Sequence, residues 1–92
     1  MPLVGFLWDP EALERLAEIP GKQRAQIIKK ARALMMDSHP PGTKKLSGME
    51  GEDGVPLYRQ RSGDYRILYE VRTKPHTIIV IRDVDDRKDV YR

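Results

Sequence analysis

The sequence contains no cysteine, and this absence excludes several kinds of chemistry. Disulfide bonds, thiolate zinc sites and cysteine nucleophiles are all ruled out. Histidine is scarce as well, since His39 and His76 are too few for an ordinary metal site. Both lie beside prolines in expected turns, so neither is assigned a catalytic role. The sequence therefore predicts a protein without metal or other cofactor.

Long apolar runs are also missing from the chain. The longest uninterrupted one, residues 78–81, is far too short to cross a bilayer. The N-terminus lacks the charged-then-apolar order of a signal peptide. We therefore expect a cytoplasmic protein with no membrane partner.

The length of 92 residues predicts one domain, residues 1–92, with one hydrophobic core. Hydrophobic residues make up 39% of the chain, which is enough for a modest core. A domain of this size buries only about two-thirds of its unfolded surface on folding. We therefore expect marginal stability unless a partner binds.

Positive charge is in slight excess and is unevenly distributed. Seventeen Lys and Arg residues face fourteen Asp and Glu residues, a net charge of +3. Residues 1–37 carry six basic and five acidic side chains, whereas residues 55–92 carry nine and six. The excess in the C-terminal half indicates nucleic acid as a plausible partner.

Two hydrophobic periodicities divide the chain. A short apolar strand at residues 3–8 precedes Asp9-Pro10, which is typical of a helix start, and Pro20-Gly21 ends that helix. A second helix is predicted for residues 22–37. An irregular loop with a brief strand at 44–46 follows, and period-two strands are predicted at 55–61, 64–72 and 77–84. The predicted fold class is α+β, in the order β-α-α-β-β-β, with a mostly antiparallel sheet and a two-helix hairpin packed on one face.

Alternation in the strand at 64–72 separates a core face from a charged face. The predicted core-facing residues are Tyr65, Ile67, Tyr69 and Val71. If Ser62-Gly63 forms a two-residue turn, Arg61 lies opposite Asp64 and Arg59 opposite Arg66. The three arginines then converge on the face away from the helices.

Like charges that lie opposite each other in a sheet cost about 0.2–1 kcal/mol per pair, so the arginine cluster needs an explanation. An anionic ligand is one explanation. Solvated ion pairs with Asp64 and Glu70 on the same face are the other. The charge pattern alone leaves both open.

Three segments together resemble the RelE branch of the RelE/ParE toxin superfamily. They are residues 40–48 (PPGTKKLSG), 58–71 (YRQRSGDYRILYEV) and 87–92 (RKDVYR). Each motif is short, but their order and spacing are specific, and with the helical hairpin the resemblance covers nearly the whole chain.

The resemblance implies a strand, two helices and a curved sheet. It also implies a type II toxin that inhibits translation as a metal-independent endoribonuclease. Such an mRNA interferase cleaves mRNA in the ribosomal A site by attack of a ribose 2′-hydroxyl on the adjacent phosphate. The implied partners are the ribosome with its mRNA, a co-encoded antitoxin that wraps the toxin, and operator DNA through the antitoxin only.

The resemblance also implies roles for individual residues. Arg66 matches the arginine that stabilises the charge developing on the phosphorane, and Tyr91 the tyrosine that stacks on a base or assists proton transfer. The implied catalytic set is Arg59, Arg61, Arg66, Arg87 and Tyr91, and the implied RNA-binding set is Lys44, Lys45 and Lys88.

Two departures from the family pattern concern proton transfer. A free arginine stays protonated at any useful pH, and a lysine in place of Arg59 would be a more credible general base. Many relatives have Gly-His where this chain has Asp85-Asp86, so a histidine acid is missing. We expect Asp86 to pair with Arg87, the alternative being a substitute acid or base. A ParE-like gyrase inhibitor and an inactive antitoxin-binding remnant remain alternative functions.

Overall fold

The structure is a computed structural model that describes residues 4–50 and 54–86, with residues 47–50 described in their backbone only. The elements in chain order are β1 (Gly5–Trp8), α1 (Pro10–Ala17), α2 (Gly21–Ala33), β2 (Lys44–Glu50), β3 (Pro56–Ser62), β4 (Tyr65–Arg72) and β5 (Ile78–Asp86). The predicted brief strand at 44–46 is thus a full strand, β2.

All five strands form one sheet in the order β1-β5-β4-β3-β2. β1 pairs with β5 in parallel, and every other pairing is antiparallel. The predicted α+β class and mostly antiparallel sheet are therefore confirmed. No helix in the described part of the chain is long and apolar enough to cross a membrane.

The two helices begin where the sequence predicts, but α2 ends earlier. Asp9 caps α1, and its Oδ1 accepts the backbone N–H of Glu11 at 3.0 Å. α2 ends at Ala33, four residues before the predicted end at Asp37. Bonds from Met35 N to Arg32 O and from Met36 N to Ala33 O tighten this last turn.

The core lies between the helices and one face of the sheet, which confirms the predicted packing of both helices on one side. Leu34, just after α2, closes this layer with 1% of its surface exposed. The core residues from the helices are Ala12, Leu16, Ile27 and Ala31, and those from the sheet are Ile67, Tyr69, Ile79, Ile81 and Val84.

A β-bulge in β5 changes which of its side chains face the core. Tyr69 pairs with Ile81 but its neighbour Leu68 pairs with Asp83, so Arg82 is the extra residue. As a result Ile81 and Val84, three residues apart, are both buried on the helix side. Period-two alternation alone would place them on opposite faces.

The hairpin between β3 and β4 turns one residue later than predicted. Ser62 pairs with Tyr65, so the turn is Gly63-Asp64, and Gly63 has a φ of +59° that favours glycine. Arg61 therefore lies opposite Arg66 rather than Asp64, and Arg59 lies opposite Leu68. The predicted pairing was wrong. The three arginines still share a face. Moving the turn by one residue changes the opposing residue by two positions, and residues two positions apart in a strand point to the same face.

Asp9 stabilises the start of α1 through an N-cap hydrogen bond and through an ion pair, and two substitutions distinguish these contributions. Its second carboxylate oxygen lies 3.2 Å from Arg82 Nη1. Asp9→Asn keeps a good N-cap and removes only the ion pair, whereas Asp9→Ala removes both. We expect Asp9→Ala to be less stable than Asp9→Asn by about 1 kcal/mol, measured by urea denaturation. Equal losses would show that the cap contributes nothing.

Candidate anion-binding site

The sheet face away from the helices, termed the outer face, carries basic side chains in two rows across neighbouring strands. In the first row Lys44 on β2 pairs with Arg59 on β3. In the second Arg61 on β3 pairs with Arg66 on β4, which pairs with Asp85 on β5. Since directly paired residues share a face, four cations lie together at the β2–β4 side of the sheet.

A cavity of about 400 Å³ opens beside these cations. Among the residues that the structure describes, Lys44, Arg59 and Arg61 form no ion pair. The site thus has positive charge that no described carboxylate compensates. The residues lining the cavity are Pro41, Gly42, Lys44, Arg59, Gln60 and Arg61.

Acidic residues at the end of β5 are held by helix α1. Arg15 lies 3.4 Å from Asp83 and 3.1 Å from Asp85. Half of the Arg15 side chain is exposed, so each pair contributes little to stability. Their effect on the site is electrostatic, because Arg15 offsets negative charge beside Arg66.

Glu70 occupies the centre of the outer face and has no exposed surface. Its carboxylate forms ion pairs with Arg72 at 3.0 Å and with Arg82 at 3.5 Å. Arg82 also forms an ion pair with Asp9. The interpretation that Glu70 neutralises the arginine cluster is therefore wrong, because its carboxylate is engaged by other arginines.

Asp64, the other acid invoked for that neutralisation, is exposed in the β3–β4 turn. It makes no ion pair with any residue that the structure describes. Among the described residues, neither Asp64 nor Glu70 therefore forms an ion pair with Arg59 or Arg61, and an anionic ligand remains the explanation for these two arginines.

The three arginines differ in their access to solvent. Arg61 is exposed and Arg59 is partly buried, whereas Arg66 retains 2% of its surface. Arg66 lies on the predicted face away from the helices but is buried there, because β4 is covered on both faces. An incoming anion therefore meets Lys44, Arg59 and Arg61 first.

The loop that leads into Lys44 is fastened to the sheet by side-chain hydrogen bonds. The Tyr69 hydroxyl donates to Ser38 O at 2.6 Å, and the Thr43 hydroxyl donates to Gln60 Oε1 at 2.8 Å. Gly42 has a φ of +91°, which favours glycine at this bend. Burial raises the pKa of Tyr69, and a hydrogen bond with Thr43 partly opposes that rise.

Several predicted site residues lie elsewhere. Lys45 pairs with Tyr58 and alternates to the face opposite Lys44, so it does not line the cavity. Arg87, Lys88 and Tyr91 lie outside the described residues, as does the partner proposed for Asp86. Within the described ranges no group of His, Asp and Glu is arranged to hold a metal ion.

This arrangement can bind phosphate and stabilise negative charge. Guanidinium groups donate hydrogen bonds in a fixed fork, and the lysine adds a mobile point charge. None of the cavity residues is a ready general base. The chemistry best supported by the geometry is therefore the binding and electrostatic stabilisation of a phosphodiester.

Sequence reasoning missed two features of the site. Gln60 lies between two arginines on β3, at a position that faces the helices, and a polar residue at such a position is the signal that could have found it. Arg15 lies on α1, and its contact with Asp85 on β5 joins residues 70 positions apart. No local pattern indicates such a contact.

The fold is similar to solved toxin–antitoxin structures. The archaeal RelE–RelB complex from Pyrococcus horikoshii matches with 25% identity and a TM-score of 0.75, covering 91% of this chain and 94% of that one. The RelBE2 complex from Mycobacterium tuberculosis matches with 26% identity and a TM-score of 0.71, covering 90% and 96%. The RelB–RelE complex from Methanococcus jannaschii matches with 26% identity and a TM-score of 0.68, covering 92% and 94%.

Sequence comparison gives a second, independent likeness. A family model described as the ParE toxin of a type II toxin–antitoxin system, parDE, matches residues 6–91. A search of curated proteins finds no match. The family match spans both the described site and the C-terminal segment beyond it.

The raised pKa of Tyr69 predicts a specific loss of stability at alkaline pH. Unfolded chains ionise tyrosine near pH 10, whereas the buried hydroxyl keeps its proton to higher pH. Its contribution is therefore full below about pH 10 and falls as pH rises towards the folded pKa. Tyr69→Phe should lower the unfolding free energy at neutral pH by about 1 kcal/mol and flatten the alkaline decline.

Urea denaturation at neutral pH and above about pH 10 measures both effects. Tyr65→Phe is the matched control, because it removes a tyrosine hydroxyl outside this hydrogen-bond network. An alkaline decline in Tyr69→Phe as steep as that of the wild type would contradict the assignment.

Proposed function

Because the chain belongs to the ParE toxin family of type II toxin–antitoxin systems, we propose that it is a RelE-like endoribonuclease that cleaves mRNA in the ribosomal A site. One observation carries this proposal. Three cations without an ion pair among the described residues surround one cavity, next to a buried fourth cation, Arg66. A ligand with several phosphates suits this arrangement.

In the proposed reaction, one bond to phosphorus forms and another bond to phosphorus breaks. The ribose 2′-oxygen loses its proton and attacks the adjacent phosphate, and the bond from phosphorus to the 5′-oxygen breaks. The 5′-oxygen takes up a proton, and a 2′,3′-cyclic phosphate remains. Charge builds up on the phosphoryl oxygens in the transition state, which is where guanidinium donors are effective.

The residues divide this work in the proposed mechanism. Lys44, Arg59 and Arg61 bind the RNA backbone, since they are the cations that an anion meets first. Arg66 stabilises the phosphorane once the substrate has settled on the outer face. Arg87 supplies a further cation and Tyr91 stacks on a base or assists proton transfer. Most of the rate then comes from positioning and electrostatics.

We further propose an antitoxin as the stabilising partner of a single cytoplasmic domain. The similar solved structures are toxin–antitoxin complexes with RelB. Burial of exposed cationic surface by an acidic partner would block RNA and raise stability by mass action. Operator DNA would be reached through this partner.

An in vitro translation reaction tests the proposed activity. Adding the purified protein should produce mRNA ends that primer extension maps in frame with the codons. Replacing a charge-stabilising donor in an active site costs about 10²- to 10³-fold in rate. We expect losses of this size for Arg66→Ala and for Tyr91→Ala, with a smaller loss for Arg61→Ala.

Arg24→Ala is the matched control, since Arg24 lies on α2 and donates to Ala17 O at 3.5 Å, away from the cavity. It should cleave like the wild type. Message that stays intact with the wild-type protein would sink the nuclease assignment, and undiminished cleavage by Arg66→Ala would overturn the role given to Arg66.

The matched family model favours one second candidate. It is named for ParE toxins, and the ParE-like alternative is inhibition of DNA gyrase by binding. That function requires no RNA cleavage and predicts blocked DNA supercoiling with intact message. The same protein preparation tested in a gyrase supercoiling assay therefore separates the two.

A further inference from the structure

We propose that Gln60 and Thr43 are positioning residues that hold Lys44 at the cavity beside Arg59 and Arg61. The inference deepens the proposed function and rests on it, because it concerns how that cavity binds RNA phosphates. It gives a role to Gln60, the polar residue between the two arginines of β3.

Strand alternation separates Gln60 from its neighbours. The Arg59 and Arg61 side chains point to the outer face, so the Gln60 side chain points the other way. There it meets the loop between α2 and β2. Gln60 therefore contacts the loop from behind the row of cations and also forms part of the cavity wall.

The contact with the loop is a hydrogen bond at the residue next to the lysine. The Thr43 hydroxyl donates to Gln60 Oε1 at 2.8 Å, and Lys44 is the first residue of β2. The Gln60 side-chain amide reaches back to Pro41 O at 3.5 Å, which is a weaker contact. Both contacts are made before the chain enters the strand.

The loop contains a backbone hydrogen bond of its own, so holding one of its residues in place also restrains the others. Thr43 N donates to Pro40 O at 3.1 Å and closes a turn over Pro41 and Gly42. The Tyr69 hydroxyl, which is anchored in the core, lies 3.5 Å from the Thr43 hydroxyl. A turn with internal hydrogen bonds moves as a unit, and Gln60 therefore sets the position from which Lys44 enters β2.

Lys44 needs a fixed position because a lysine side chain is flexible and does not bind phosphate with a defined geometry. Its long side chain is exposed and loses rotamer freedom when it binds a phosphate. A fixed backbone beneath it avoids the further entropy cost of ordering the loop on binding. If the loop is released, the first residue of the edge strand β2 is held less firmly, and Lys44 should contribute less to binding than the two arginines, which extend from β3, a strand paired on both sides.

Two variants remove the anchoring bond from opposite sides. Gln60→Met keeps the length of the side chain without its amide, and Thr43→Val keeps the branched shape without the hydroxyl. Thr73→Val is the matched control, because it makes the same exchange in the exposed turn between β4 and β5. Thr43 does not line the cavity, so its effect must act through the loop.

The first measurement is binding of a short, uncleavable 2′-O-methyl oligoribonucleotide, followed by fluorescence anisotropy over a range of salt concentrations. Loss of one phosphate contact lowers the slope of log K against log salt by about 0.7. We expect this decrease and severalfold weaker binding for both variants and for Lys44→Ala. In the Lys44→Ala background, Gln60→Met should add nothing further.

The second measurement needs no RNA. Hydrogen exchange of peptides spanning residues 38–45 should accelerate in both variants and stay at the wild-type rate in Thr73→Val. Weak binding by Gln60→Met with wild-type behaviour of Thr43→Val would mean that Gln60 contacts RNA directly, which overturns the inference. Faster exchange with unchanged RNA binding overturns it as well.

Failure of the proposed function has a different signature. A wild-type protein that does not bind the oligoribonucleotide contradicts the RNA-binding function itself. The exchange measurement then tests only whether the hydrogen bond between Thr43 and Gln60 holds the loop. Faster exchange in both variants supports this role, and unchanged exchange overturns it. If Gln60→Met does not fold, Thr43→Val provides the same test.

Discussion

Burial of β4 on both of its faces is the constraint on which the other features of this protein depend. One face of the strand enters the core through Ile67 and Tyr69, while the other carries Arg66 and Glu70 with almost no exposed surface. An ionised carboxylate without solvent needs partners, since an unpaired buried charge is costly. Arg72 and Arg82 meet that need, and Arg82 extends the network to the cap of α1.

Charge compensation is therefore uneven across the outer face. The acids towards β5 are engaged by arginines from α1 and from the sheet itself. The cations towards β2 have no such partner within the described ranges, which leaves a local positive field over a cavity. A field of this kind attracts polyanions and speeds their encounter. The small net charge of +3 conceals this separation.

The core and the candidate site are joined through one loop. Tyr69 packs in the core, yet its hydroxyl holds the carbonyl of Ser38 and lies close to Thr43. The geometry of the cationic cavity is thus set partly by residues that no ligand would touch. This agrees with the general finding that precise sites rest on rigid supports.

Local patterns in the sequence determined the element order, the start of α1 and the face shared by the three arginines. Asp9-Pro10 is a cap that acts over one turn, and alternation depends only on neighbouring residues, so both can be read without a structure. The arginine face was predicted despite a misplaced turn. A hairpin that turns one residue later changes the opposing partners but leaves the side-chain faces unchanged.

Tertiary structure alone decided which charges are compensated and which are accessible. Glu70 and Asp64 look equivalent along the chain, yet one is buried between arginines and the other is exposed in a turn. The bulge at Arg82, the contacts of Arg15 and the burial of Arg66 all depend on residues distant in sequence. Burial and ion pairing are properties of packed neighbours, and a linear pattern does not contain them.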